Sequence, residues 1–296
     1  MVRPQRPARA KRSLGQNFLV DPSVQRRIVA ALDAQQSDTV LEIGPGTGAL
    51  TRHLAGSVER LLAVEKDDAL AAALGDELGR MPGVEIVHAD ALELDLAHLL
   101  GAATSPRIIG NIPYNITTPL IFHLLDLEPR PLAIVLMIQK EVADRILAPP
   151  GGKEYGALSV GVRAVADVER LFNVGKSAFW PPPDVMSTVI RLTPHRPPRL
   201  GRREEEDLRA LTRAAFSWRR KQLQKILRAA PAYALSPEAV SSLSHATGLD
   251  FEARPESLAP EEFVRLARAL RALGLPALQA ASAQSRDASA LEQDGA

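Results

Sequence analysis

The chain has no cysteine at all. That absence removes disulfides, thiolate metal sites and cysteine nucleophiles together. It also excludes the pyrimidine C5-methylation mechanism, which proceeds through a covalent cysteine adduct. Aromatic residues make up only 4% of the sequence, so each one beside a polar motif has to be weighed as a ligand contact. No apolar run approaches the ~20 residues of a membrane-spanning helix, and the N-terminus lacks the apolar core of a signal peptide. The expectation is a cytoplasmic protein without membrane contact. The six histidines (His53, His88, His98, His123, His195 and His245) fall at no metal-ligand spacing, and no metal site is expected.

Charge imbalance is absent overall but present locally. The 36 Lys+Arg and 35 Asp+Glu residues nearly cancel, yet residues 1–12 hold Arg3, Arg6, Arg9, Lys11 and Arg12 with no acid. Residues 213–228 hold Arg213, Arg219, Arg220, Lys221, Lys225 and Arg228, again with no acid. Each cluster alone reads as a solvated tail or helix face. Two in one chain, the second interleaved with Phe216 and Trp218, favour a polyanionic partner.

At 296 residues the chain exceeds one compact core, and two domains are expected. Asp21-Pro22 supplies an N-cap and a first-turn proline for a helix running to about Asp33. Strand signals near 39–43, 61–64, 84–87, 107–110 and 132–138 alternate with helix-like segments, the pattern of a mainly parallel sheet covered on both faces. The stretches 168–174 and 185–192 have no long helix between them and are expected to close the sheet as an antiparallel hairpin. After a proline-stiffened linker over 193–198, amphipathic patterns predict helices over 203–216, 218–229, 236–247 and 260–273. The expected division is a basic arm and loop at 1–20, an α/β domain at 21–195, a helical domain at 200–275 and a disordered Ala/Ser/Gln-rich tail at 279–296.

Two motifs carry chemistry. Thr39–Ile43 runs into Gly44-Pro45-Gly46-Thr47-Gly48 and then a helix-compatible stretch, the cradle of a nucleoside-bearing cofactor. Its G-x-G-x-G spacing departs from the dinucleotide fingerprint. Glu65 closes the next strand, where an acid binds ribose hydroxyls, and Asp90 follows the third, placed to accept from an adenine amino group. The second motif, Asn111-Ile112-Pro113-Tyr114-Asn115, directly follows the apolar run Ile108-Ile109-Gly110. An amide acceptor, a proline-stiffened backbone and an aromatic plate suit the grip of a flat amino-bearing ring. Taken alone, the segment reads equally as a strand-ending turn. Glu42, beside the glycine loop, reads as a structural acceptor for backbone amides.

In this order, Gly15-Gln16-Asn17-Phe18-Leu19, Glu42 to Gly48, Glu65, His88-Ala89-Asp90-Ala91, Gly110 to Asn115, Gln139-Lys140-Glu141-Val142, Tyr155-Gly156 with Leu158-Ser159, and Phe179 to Val185 resemble the adenine dimethyltransferases of small-subunit ribosomal RNA. The matching blocks span residues 11–195. The resemblance implies a Rossmann-like α/β methyltransferase sheet with a small C-terminal all-α domain. It implies S-adenosylmethionine as cofactor and dimethylation of N6 on two adjacent adenines near the 3′ end of small-subunit rRNA. An immature 30S particle as partner and a monomeric enzyme go with it.

Carried over residue by residue, the resemblance makes Asn17, Leu19, Gly44, Glu65, Asp90 and Asn111 cofactor contacts. Asn111, Tyr114 and Phe179 become the catalytic set, with Phe179 stacking on the target base opposite Tyr114. The residue that most members carry between that phenylalanine and the first proline is often not aromatic. Here it is Trp180, which leaves open which ring faces the base. An N6-adenine methyltransferase for large-subunit rRNA or DNA, or a non-catalytic RNA-binding assembly factor, would share many of these residues. A nicotinamide dehydrogenase is disfavoured by the glycine spacing.

Overall fold

The computed structural model describes Lys11 and residues 15–274. Arg3, Arg6, Arg9 and Arg12 of the first basic cluster, and the tail expected from 279, lie outside the described residues. The chain divides into two compact units. One takes the chain up to Leu147 together with Ala166–Pro198; the other takes Ala148–Val165 and the chain from Arg199 onward.

The first unit opens with a two-residue strand, β1 (Phe18–Leu19), and helix α1 (Pro22–Leu32). Asp21 caps α1 by accepting from the Ser23 and Val24 amides, and Asp33 ends it in a left-handed conformation. There follow β2 (Thr39–Ile43), α2 (Thr51–Leu54), β3 (Arg60–Glu65), α3 (Asp68–Leu78), β4 (Val84–His88), α4 (Leu96–Leu100), β5 (Arg107–Asn111), α5 (Thr117–Leu125), β6 (Ala133–Gln139) and α6 (Lys140–Leu147). The central strands are buried on both faces: β6 reads Ala-Ile-Val-Leu-Met-Ile with all six buried. Continuous apolar runs of that kind belong to parallel sheets covered by helices on either side. Edge strand β4 alternates instead, with only Val84 fully covered.

After the excursion into the second unit the chain returns as β7 (Ala166–Val174), the short β8 (Phe179–Trp180) and β9 (Ser187–Pro194). The seven-stranded sheet has the order β4-β3-β2-β5-β6-β9-β7. The pairs from β4 to β6 are parallel, and β9 lies antiparallel to both β6 and β7. The closing hairpin read from the sequence is therefore present, with its second strand inserted next to β6. Strands β1 and β8 form a separate antiparallel pair, Phe18 opposite Trp180 and Leu19 opposite Phe179. Two-residue strands have no periodicity, so neither is legible in the sequence, where residues 1–20 read as an arm and loop.

In the second unit, α7 (Ala157–Arg163), α8 (Arg202–Ser217), α9 (Leu223–Ala229), α10 (Pro237–Thr247) and α11 (Pro260–Ala272) surround an aromatic cluster. Phe216 packs edge-on against Tyr155 at 5.9 Å and tilted against Phe263 at 5.7 Å between ring centroids. The Tyr155 hydroxyl donates to the Leu258 carbonyl at 2.7 Å. These contacts draw Ala148–Val165 out of the α/β unit, a boundary that the continuous 21–195 reading misses.

They also correct the reading of the second basic cluster. Phe216 is a packing residue, and Arg219 is spent on Glu256 and the carbonyls of Gly152 and Lys153. Helix α9 starts at Leu223 because Trp218 to Gln222 form a turn after α8. Arg213, Arg220, Lys221, Lys225, Arg228 and Trp218 remain exposed. Among the described residues no helix is long and apolar enough to cross a membrane.

Candidate active site

The strand order reverses at β2, which leads to β3 on one side while the chain later returns to β5 on the other. In open α/β sheets, ligands sit outside the carboxyl ends of the strands at such a switch point. Here those ends carry Gly44 after β2, Glu65 at the end of β3, Asp90 just past β4 and Asn111 at the end of β5. Together with Asn17, Leu19, Tyr114 and Phe179 they line one cleft. All eight residues singled out from the sequence share it; Trp180 does not line it.

The glycine loop is held open by positive φ angles, +67° at Gly44 and +58° at Gly46. A Cβ on Gly46 would also lie 3.3 Å from the Phe18 ring, so the bare position lets β1 close tightly over the loop. Glu65 fastens the loop from the other side. Its Oε2 accepts from the Gly46 amide at 2.9 Å and its Oε1 from the Asp67 amide at 2.8 Å. Each carboxylate oxygen retains a lone pair for a ribose hydroxyl. Burial pushes the Glu65 carboxyl above its ordinary value, against which these backbone bonds act.

Asp90 is occupied differently. Its Oδ2 takes a 2.6 Å bond from Lys66 and its Oδ1 a 3.0 Å bond from the Leu92 amide. The Lys66 ammonium holds the Asp90 carboxyl below the usual range. Each Asp90 oxygen keeps a lone pair, so an adenine amino group can bond Oδ1 or share Oδ2 with Lys66.

Asn111 donates from Nδ2 to the Asn17 carbonyl at 3.1 Å. A carbonyl can only accept, so this bond fixes the amide orientation and leaves Oδ1 available as an acceptor. The Tyr114 hydroxyl lies 3.0 Å from the hydroxyl of buried Ser187 in β9, which holds the ring at the cleft.

Three more residues bear on the site: Glu42, read from the sequence only as a structural acceptor, and Asp67 and Lys66, which were not singled out. Glu42 is 1% exposed, and its Oε2 has no hydrogen-bond partner among the described residues. Burial pushes it up to about 8, aided by the Glu65 charge and opposed by Thr51 and Arg52. Asp67 caps α3 and accepts from Gln16 at 2.9 Å and Lys11 at 3.0 Å. These bonds fasten the segment ahead of β1 to the strand end that carries Glu65. An Asp ahead of Ala69–Leu74 is a legible cap, but its pairing across some fifty residues is not. Lys66 had only its place next to Glu65 to mark it.

The sequence profile of the ribosomal RNA adenine dimethylases matches residues 8–271. The chain belongs to that family. It is 44% identical over 268 residues to ribosomal RNA small subunit methyltransferase A of Geobacter metallireducens, covering 90% of this chain and 97% of the relative. The Pseudomonas aeruginosa protein of the same name is 43% identical, covering 90% and 96%.

Among solved structures, a dimethyladenosine transferase from Plasmodium falciparum superposes with a TM-score of 0.72 at 26% identity, covering 87% of this chain and 98% of that one. The 23S rRNA methyltransferase ErmE gives 0.64 at 27% identity, covering 86% and 100%. The fold is that of S-adenosylmethionine-dependent methyltransferases, and this adenine dimethylase is an enzyme that uses S-adenosylmethionine. The cleft fits that cofactor. It offers a bare-backbone glycine loop, an acid with spare acceptor capacity at the end of β3, and a second acid beyond β4.

Proposed function

We propose that the enzyme dimethylates N6 of two adjacent adenines near the 3′ end of 16S rRNA, acting as a monomer on an immature 30S particle. The observation that carries this reading is the oriented Asn111 amide at the mouth of the cofactor cleft, with Tyr114 and Phe179 on the same cleft. It stands in a chain 43–44% identical to small-subunit methyltransferases along nine-tenths of its length.

In this reading Gly44 and the rest of the loop give backbone approach to the cofactor, Glu65 takes the ribose hydroxyls and Asp90 the adenine amino group, with Asn17 and Leu19 closing the near side. When bound, S-adenosylmethionine supplies an electrophilic methyl group. The amino nitrogen of the target adenine is a poor nucleophile because its lone pair is delocalised into the ring. Asn111 Oδ1 accepts one amino proton, and the Ile112 carbonyl is assigned the other, which favours a more tetrahedral nitrogen with its lone pair directed at the methyl. Ile112 is positioned for this by its own amide, which donates to the Met137 carbonyl at 3.1 Å.

Tyr114 and Phe179 hold the base between them by stacking, worth about 1–3 kcal/mol per base. Alignment supplies most of the acceleration. The product loses its proton to water, so no side-chain base is required.

Primer extension on rRNA from cells lacking the gene, with and without the gene restored, tests the assignment. Stops at two adjacent adenines near the 3′ end of 16S rRNA should disappear with the gene and return with it. Stops unchanged there but lost in 23S rRNA would place the activity on the large subunit.

A further inference from the structure

Strand β8 presents two aromatic rings to two different surroundings. Phe179 is 4% exposed and lines the cleft, whereas Trp180 is 55% exposed and does not line it. Neighbouring residues of a strand point to opposite faces, and their Cα atoms are only about 3.8 Å apart. The indole is held on a rigid support. Its backbone pairs with Phe18, whose ring lies against Gly46 of the cofactor loop.

Other exposed apolar side chains lie on neighbouring segments of the chain. Val20 follows β1, and Val185 and Met186 precede Ser187, the residue that bonds the Tyr114 hydroxyl. With Trp180 these are four of the seven large apolar side chains exposed among the described residues, each within two positions of a residue that lines the cleft or bonds one that does. Exposed Lys176, four residues before Trp180, donates to the Asp184 carbonyl and so ties this segment to the one ahead of β9.

We propose that Trp180 is a stacking platform for the nucleobase next to the target adenine, so that one adenine of the pair sits in the cleft while its covalent neighbour rests on the indole. The proposal builds on the adenine-dimethylation reading. A nucleobase is the occupant because Trp180 is the next residue along the strand from Phe179, the ring assigned to the target base, and an exposed indole binds a base by its face. The contact owes nothing to hydrogen-bond readout, since every base offers a π-face to the indole.

The test uses an RNA hairpin carrying the two adjacent adenines, with one of them replaced by 2-aminopurine or by an abasic site. 2-Aminopurine has no amino group at position 6, so Asn111 has nothing to accept from it and the remaining adenine takes the cleft. Wild-type enzyme should quench the 2-aminopurine fluorescence, Trp180→Phe should retain much of the quench, and Trp180→Ala should abolish it. Trp180→Ala should weaken binding of the hairpin with both adenines by about 5- to 100-fold, and should leave binding of the abasic hairpin unchanged. Because the indole is largely exposed, Trp180→Ala should melt at the wild-type temperature.

An equal loss on both hairpins would mean that Trp180 meets backbone rather than a base, and would overturn the proposal. So would a quench that survives in Trp180→Ala. The adenine reading is scored separately, by whether wild-type enzyme methylates N6 of the remaining adenine. No methylation would sink that reading while the quench still decides the role of Trp180.

Discussion

Tyr114 and Glu42 show how much of a side chain's role lies in its neighbours. Tyr114 was legible as an aromatic plate beside Asn111, but its bond to Ser187 joins residues 73 apart and leaves no trace in the sequence. The stacking role needs the ring and the Ser187 bond needs the hydroxyl, so the two are separable. Tyr114→Phe should keep most of the methyl-transfer rate while losing about 1 kcal/mol of stability in urea denaturation. Tyr114→Ala should lose most of the rate. If Tyr114→Phe were as inactive as Tyr114→Ala, the hydroxyl would have a chemical role.

Glu42 was read as an acceptor for backbone amides; the Thr51 backbone does bond it, and the fold also buries it with one oxygen unpartnered. Its carboxyl ionises near 4.5 when unfolded and at about 8 when folded. Between those values the folded chain keeps a proton that the unfolded chain has lost. Its contribution is therefore complete at acid pH and is lost as pH rises through the window, by at most about 1.4 kcal/mol per pH unit. Glu42→Gln cannot ionise and should flatten the decline of stability from about pH 5.5 to 7.5. Parallel stability profiles for the two proteins would show that Glu42 is ionised in the fold.

The elements were legible in proportion to their length and burial. Strands β2 to β6 announce themselves as apolar runs bounded by turn residues, and their alternation with helices gives the parallel sheet. The reversal at β2 then places Gly44, Glu65, Asp90 and Asn111 at one edge without further information. The β1–β8 pair and the transfer of Ala148–Val165 to the helical unit escaped, because each depends on contacts between distant segments.

The β1–β8 pair makes Gly46 a joint between the cofactor loop and the clasp above it. Gly46→Ala would need an L-residue at φ +58° and a methyl 3.3 Å from the Phe18 ring. The left-handed conformation alone costs about 1–2 kcal/mol. The variant should lose at least that much stability and bind S-adenosylmethionine more weakly by calorimetry. Wild-type affinity in Gly46→Ala would mean that β1 does not shape the cofactor site.

At the scale of the whole molecule, the sequence showed two basic clusters under a near-zero net charge, but not which cations are free. Arg219 is tied to Glu256 and two carbonyls, whereas Arg213, Arg220, Lys221 and Lys225 are exposed. Neutralising Arg220, Lys221 and Lys225 together should weaken RNA binding and flatten the dependence of log affinity on log salt by about 2–3 units. Arg219→Ala should instead lower the melting temperature and leave the salt slope near wild type. An unchanged slope in the triple variant would make the cluster an ordinary solvated face.

Over the same whole molecule, the central claim is that Asn111 aligns an adenine amino group for methyl transfer while other surfaces bind the RNA. Single-turnover methylation of an immature 30S particle by Asn111→Ala, with particle affinity measured alongside, tests it most directly. The expected result is a rate of N6-methyladenine formation at least about 100-fold below wild type, the scale of losing one oriented hydrogen bond in a transition state, with affinity for the particle near wild type. Methylation at the wild-type rate would contradict the account.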